Sequence, residues 1–177
     1  MIKIAFAGKK ESGKTTLAEY CADVHELEAF SFADDLKMNL VELGIKPDRV
    51  FGSSNRDANA RKLMQAYGQA MRDQDEDYWL DLVMKKMRLW ESSGASTEGF
   101  VIDDLRYMNE AEALRADGFV LIKVVRGNYK HAPDDHSSEQ GLPDQLFDNI
   151  IVADDGDLDS LFSQIDTIIE HLEVNNG

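Results

Sequence analysis

The segment Gly8-Lys9-Lys10-Glu11-Ser12-Gly13-Lys14-Thr15 constrains this chain more than any other. It matches G-x-x-x-x-G-K-[ST] at every fixed position, directly after the apolar stretch Ile2 to Ala7 and directly before the helical run Thr16 to Val24. Strand, glycine-bearing turn and helix in that order build an anion cradle. The glycines let successive backbone N–H groups turn inward, and the helix offers its positive N-terminal end. The segment is therefore read as a phosphate loop, with Gly8, Lys10, Glu11, Ser12, Gly13, Lys14, Thr15 and Thr16 around the phosphates of a nucleoside triphosphate. Lys14 is expected to reach the β- and γ-phosphates, and the Thr15 hydroxyl to occupy one position on Mg²⁺.

The rest of the chain is expected to be α/β. Strand-like segments recur at Ile2 to Ala7, Ala29 to Phe32, Phe100 to Asp103, Phe119 to Val125 and Asn149 to Ala153, with helical patterns between them. The last helix is the clearest: Leu158, Leu161, Phe162, Ile165, Ile168, Ile169 and Leu172 follow the three-and-four spacing of one buried face. Near-continuous apolar strands alternating with helices indicate a parallel sheet covered on both faces, hence a three-layer fold with five parallel strands. The 177 residues suffice for a single domain, 1–177. Two stretches exceed a minimal alternation. Residues 34–92 hold a helical insertion, in which Ala60, Leu63, Met64, Tyr67, Ala70 and Met71 keep helical period. Residues 127–147, with two Pro, two Gly and few apolar side chains, read as a lid loop.

Composition removes several function classes. Thirty-four acidic against nineteen basic side chains leave a net charge of −15, a field that opposes binding to a nucleic-acid polymer. It does not oppose small phosphorylated ligands, because a few cations in a cleft outweigh carboxylates screened beyond about 8 Å. The apolar runs reach only four residues, against about 20 for a membrane span, so no membrane partner is expected. No signal-peptide pattern is visible at Met1-Ile2-Lys3-Ile4 and Cys21 is the lone cysteine, which together point to the cytoplasm. Cys21 itself is read as a packed small apolar residue, not a nucleophile.

Further candidates lie where strands end. Asp103-Asp104-Leu105-Arg106 closes the third strand at the edge where open α/β sheets bind ligands. Alternation puts Asp104 and Arg106 on one side, so Asp104 is expected to be the Mg²⁺ carboxylate and Arg106 to hold a phosphate. The competing reading has the two Asp capping a helix that begins near Asn109. In the insertion, Arg61, Gln65, Gly68 and Arg72 share one helical face, a stripe suited to an acceptor phosphate or to simple solvation. Asp34 and Lys37 follow the second strand and could bind sugar hydroxyls or phosphate, or Asp34 could cap a helix. Arg126 ends the fourth strand, from which it could swing onto a transferring phosphoryl group. His131, Asp134, Asp135, His136 and Glu139 match no zinc spacing. Trp79 and Trp90 are expected in the core.

With these residues in hand, the chain resembles the phage-type deoxynucleoside monophosphate kinases of the P-loop nucleoside monophosphate kinase superfamily. The resemblance rests on Gly8 to Thr15, Phe32-Ala33-Asp34-Asp35-Leu36-Lys37, Tyr67-Gly68-Gln69-Ala70-Met71-Arg72 with Asp77-Tyr78-Trp79, Asp104-Leu105-Arg106-Tyr107-Met108-Asn109-Glu110 and His136-Ser137-Ser138-Glu139. Glu11, Asp35 and Tyr107-Met108 depart from the family pattern, where a basic residue, Pro and Phe-Pro are common. The resemblance implies transfer of the ATP γ-phosphoryl group to a deoxynucleoside 5′-monophosphate, with Mg²⁺, a monophosphate-binding insertion and a closing lid. Lys14, Arg106 and Arg126 would be catalytic, Thr15 and Asp104 would hold the metal, and Asp34, Lys37, Arg61, Gln65, Arg72 and Arg106 would bind the acceptor. No general base is needed, because a monophosphate with its second pKa near 6 is already largely deprotonated at pH 7. A phage-encoded chain would work in the host cytoplasm, and a homodimer stays open. Two alternatives remain: a dephospho-coenzyme A kinase or other small-molecule kinase using Asp34 as base, and a non-catalytic ATP-binding interaction protein. A regulatory GTPase is disfavoured by the absence of Asn-Lys-x-Asp.

Overall fold

The computed structural model describes residues 1–51, 58–127 and 141–176. The histidine-bearing part of the expected lid, including His131, Asp134, Asp135, His136 and Glu139, lies outside the described residues. Contacts divide the chain into two compact units, residues 1–30 with 96–177, and residues 31–95.

The first unit is built on five parallel strands: β1 (Ile2–Ala7), β2 (Leu27–Phe30), β3 (Gly99–Leu105), β4 (Val120–Arg126) and β5 (Asn149–Ala153). Their order across the sheet is β2-β3-β1-β4-β5, and each pairing is parallel. The connecting helices in this unit are α1 (Lys14–His25), α6 (Met108–Ala116) and α7 (Leu158–Asn176). Alternation along the strands divides the core in two. Ile2, Ile4 and Phe6 of β1 join Val101, Ile122, Val124 and Ile151 in one cluster with Leu17, Ala18 and Cys21 of α1 and Leu161, Ile165 and Ile169 of α7. The alternate residues Phe100, Ile102 and Leu121 are also fully buried, as are Ala111 and Leu114 of α6. The expected three-layer architecture is present, and the last helix buries the face that its spacing predicts except at Leu158, its first residue, which is exposed. Burial pushes the Cys21 thiol up to about 12, so this side chain packs and does not react. No helix of the described residues is long and apolar enough to cross a membrane.

The limits of β2, β3 and β4 each shift by one or two residues from expectation, two of these shifts with a local cause or consequence. The second strand ends at Phe30, not Phe32, because the Ser31 hydroxyl accepts the Ala33 N–H at 3.2 Å and caps the next helix. The third strand runs two residues further than expected, to Leu105, which keeps Asp103 and Asp104 in the sheet instead of at a helix cap.

Gly8 opens the turn between β1 and α1 with φ +147°, and a Cβ there would lie 2.3 Å from the Val124 carbonyl oxygen. A side chain is excluded twice, by the backbone conformation and by neighbouring main chain. Gly8→Ala should cost about 2–4 kcal/mol, which for a chain of this size lowers the melting midpoint by roughly 5–15 °C. An unchanged midpoint in a thermal melt would show that the turn relaxes freely.

The second unit holds α2 (Phe32–Glu42), α3 (Pro47–Phe51), α4 (Ala58–Gln74) and α5 (Tyr78–Ser92). Its centre is Trp79, 1% exposed, whose indole N–H donates to the Gly68 carbonyl at 3.1 Å. Trp90 is half-buried. Gly68 lets α4 pass close to α2, since a Cβ there would stand 2.8 Å from Leu36 Cδ1. Lys86 of α5 reaches the Asp35 carboxylate of α2 at 2.5 Å, and the other Asp35 oxygen is buried without a hydrogen-bond partner.

Candidate functional site

The turn after β1 has the cradle geometry that its sequence predicts. Gly13 is the residue before α1, with φ +103°, so the helix starts abruptly at Lys14 and its first N–H groups face the loop. Ser12 is buried at the base of the turn. The Lys14 ammonium donates to the Lys9 carbonyl at 2.6 Å and to Ser12 Oγ at 3.4 Å, which folds it over the loop that would hold phosphate. Glu11 takes a left-handed conformation, φ 62°, that costs about 1–2 kcal/mol for a residue with a side chain. Its carboxylate is mostly exposed and pairs with the equally exposed Lys10 at 3.2 Å, so the acidic substitution in the loop is partly neutralised in water.

The Thr15 hydroxyl donates to Asp103 Oδ2 at 2.8 Å. The expectation gave the Mg²⁺ position to Asp104, whereas here it is Asp103 that meets Thr15. Alternation along the strand was the right rule, but the sequence could not say which face meets α1. Val101 lies in the cluster with Leu17 and Ala18 of α1, so Asp103, two residues on, emerges where α1 begins. A register irregularity falls at this point as well: β1 advances from Ala5 to Ala7 while β3 advances from Ile102 to Leu105. Such an extra residue re-aims side chains at the end of a strand, a feature common near active sites. Asp104 is half-buried beside it. Thr15 and Asp103 together present hard oxygen donors of the kind Mg²⁺ takes, next to the loop that would hold its phosphates, so the residues fit the metal that the motif implies.

Arg106 follows β3 directly and its side chain is exposed. Arg126 ends β4 and pairs with Asp155. A cleft of about 490 Å³ brings Arg126 together with Glu11 to Thr16 of the loop and with the turn Asp154-Asp155-Gly156-Asp157 between β5 and α7. Gly8 and Lys10 lie outside its wall. The β5–α7 turn was missed by sequence reasoning. The available signal was a run of turn-forming residues at the C-terminal end of a parallel strand, which is the ligand edge.

The remaining candidates belong to the second unit. Asp34 lies in the first turn of α2 and pairs with Lys37 at 2.7 Å, while Ser31 does the capping. On α4, Arg61 and Gln65 are exposed, Arg72 is half-buried and Gly68 is buried. Gly68 is therefore a packing position, not part of a ligand-facing stripe, because the indole and Leu36 occupy its side of the helix.

Comparison with known proteins bears on the chain as a whole. A family model described as deoxynucleotide monophosphate kinase matches residues 45–165, a stretch that does not include the phosphate loop. The deoxynucleotide monophosphate kinase of Escherichia phage RB69 is 32% identical over 133 residues, covering 72% of this chain and 53% of its own. That of Enterobacteria phage T4 is 32% identical over 116 residues, covering 64% and 46%. A putative deoxynucleotide monophosphate kinase of Acanthamoeba polyphaga mimivirus is 29% identical over 198 aligned positions, covering 99% and 100%. The chain thus spans about half the length of the two phage relatives and all of the mimivirus one. With more than half of its residues inside the matched stretch, the chain belongs to the deoxynucleotide monophosphate kinase family.

Proposed function

We propose that this protein transfers the γ-phosphoryl group of ATP to a deoxynucleoside 5′-monophosphate, giving the diphosphate and ADP. The observation that carries the reading is the Thr15 hydroxyl bonded to Asp103 at the mouth of a complete phosphate loop, in a chain of this family. Thr15 and Asp103 would hold Mg²⁺, with Asp104 beside them; when bound, the ion neutralises charge on the donor phosphates. Backbone N–H groups of the loop, with Ser12, Gly13 and Thr16, hold the triphosphate, and Lys14 exchanges its bonds to Lys9 and Ser12 for the β- and γ-phosphates. Arg126 leaves Asp155 to meet the charge that develops on the transferred group.

On the acceptor side, Arg106 binds the phosphate of the monophosphate. Within the second unit, Arg61, Gln65 and Arg72 of α4 and Asp34 and Lys37 of α2 are the residues that the family resemblance assigns to the acceptor. The attacking oxygen is already deprotonated at neutral pH, so catalysis consists of positioning and charge neutralisation. The reaction belongs in the cytoplasm, that of the host for a phage-encoded chain.

The test is ADP release from Mg-ATP, screened against the common deoxynucleoside monophosphates, the matching ribonucleotides, dephospho-coenzyme A and no acceptor. Stimulation by at least one deoxynucleoside monophosphate is expected. Stimulation by dephospho-coenzyme A alone would transfer the activity to a hydroxyl acceptor. ATP binding without any stimulation would leave a nucleotide-binding protein that does not transfer phosphate.

A further inference from the structure

Glu110 is 1% exposed, one of three buried polar or charged side chains among the described residues. It stands at the third position of α6 and turns back on the chain that enters the helix. Its Oε2 accepts two consecutive backbone N–H groups, those of Arg106 and Tyr107, each at 3.0 Å. A buried carboxylate is costly unless it is hydrogen-bonded, and a helix start can be capped at less cost by an exposed Ser, Thr or Asp. Here the cap position is Tyr107, and the work falls to a carboxylate sealed from water.

The consequence concerns Arg106. On one side of it, Leu105 is anchored in the core at 2% exposure; on the other, α6 is seated by Ala111 and Leu114, both fully buried. The single peptide segment between these anchors is held by Glu110, so the Cα of Arg106 has little freedom while its long side chain stays exposed. A guanidinium engages phosphate best as an aligned fork, and a small displacement of its base is amplified along the side chain.

We propose that Glu110 is a positioning residue, which fixes the main chain of Arg106 so that its guanidinium meets the acceptor phosphate. This inference rests on the role given to Arg106 under the proposed function. Glu110 touches neither substrate; it acts through the two N–H groups. A glutamine oxygen can accept the same pair, whereas aspartate, one methylene shorter, keeps the charge but loses the reach.

The experiment is a double-mutant cycle in steady-state kinetics, with Glu110→Gln, Glu110→Asp and Glu110→Ala made alone and in an Arg106→Ala background, and KM measured separately for ATP and for the acceptor. Glu110→Asp and Glu110→Ala are expected to raise the acceptor KM about tenfold or more, with the ATP KM within about twofold of wild type. Glu110→Gln should retain most of the acceptor affinity. In the Arg106→Ala background the same substitutions should add little, because the group they position is gone. If Glu110→Ala does not fold, the Asp and Gln variants carry the comparison. Equal losses in both backgrounds, or a loss shared equally by ATP and acceptor, overturn the proposal and leave Glu110 a helix cap. Absence of acceptor-dependent turnover in the wild type overturns instead the kinase reading, and the role of Arg106 with it.

Discussion

Lys14→Ala is expected to lower acceptor-dependent ADP release by about 10³-fold, equivalent to about 4 kcal/mol of transition-state stabilisation. On the proposed reading the ammonium is the cation that the loop itself brings to the phosphates, and phosphoryl transfer leaves the protein little to do beyond positioning and neutralising charge. In this structure the ammonium is held by the Lys9 carbonyl and Ser12 Oγ, both within the same turn. Its removal therefore deprives the ligand more than the fold, and the melting midpoint should move by only a few degrees. Rate and midpoint are read on the same preparation. Residual activity within about tenfold of wild type would mean that the triphosphate is held elsewhere.

The second large effect separates two neighbours. Asp103→Asn should reduce kcat by about 10²-fold or more and shift the Mg²⁺ dependence to higher concentration, because Asp103 is the carboxylate on the Thr15 hydroxyl. Asp104→Asn should cost less than about tenfold. Side-by-side Mg²⁺ titrations of the two variants decide the matter. If Asp104→Asn has the larger effect, the Thr15–Asp103 bond gives way when the metal binds and the metal is held from the other residue.

Much of this arrangement was legible in the residues. The periodicity of α7 identified its buried face, and the strand segments identified the sheet, because burial on one stripe of a helix or both faces of a strand writes itself into spacing. The ends of elements were less legible. Ser31 decides where β2 stops through one local hydrogen bond, and a serine in that position is equally compatible with a longer strand. On α4 a periodic polar stripe included Gly68, whose burial depends on where Trp79 and Leu36 arrive from other helices.

The chain by itself determined the glycine-bearing strand–turn–helix start, the parallel α/β layering and the absence of any long apolar run, since each follows from local spacing and composition. Only the tertiary structure decided which of two adjacent aspartates meets Thr15, that Arg126 rests on Asp155, that the β5–α7 turn walls the cleft, and that a buried Glu110 holds the backbone of Arg106. The first three join residues distant in the sequence or choose between faces of a strand, and the last is a local contact whose weight comes from the burial of Glu110. Pairwise geometry of that kind has no periodic signature, and it is settled only when the sheet order places β1, β3, β4 and β5 beside one another.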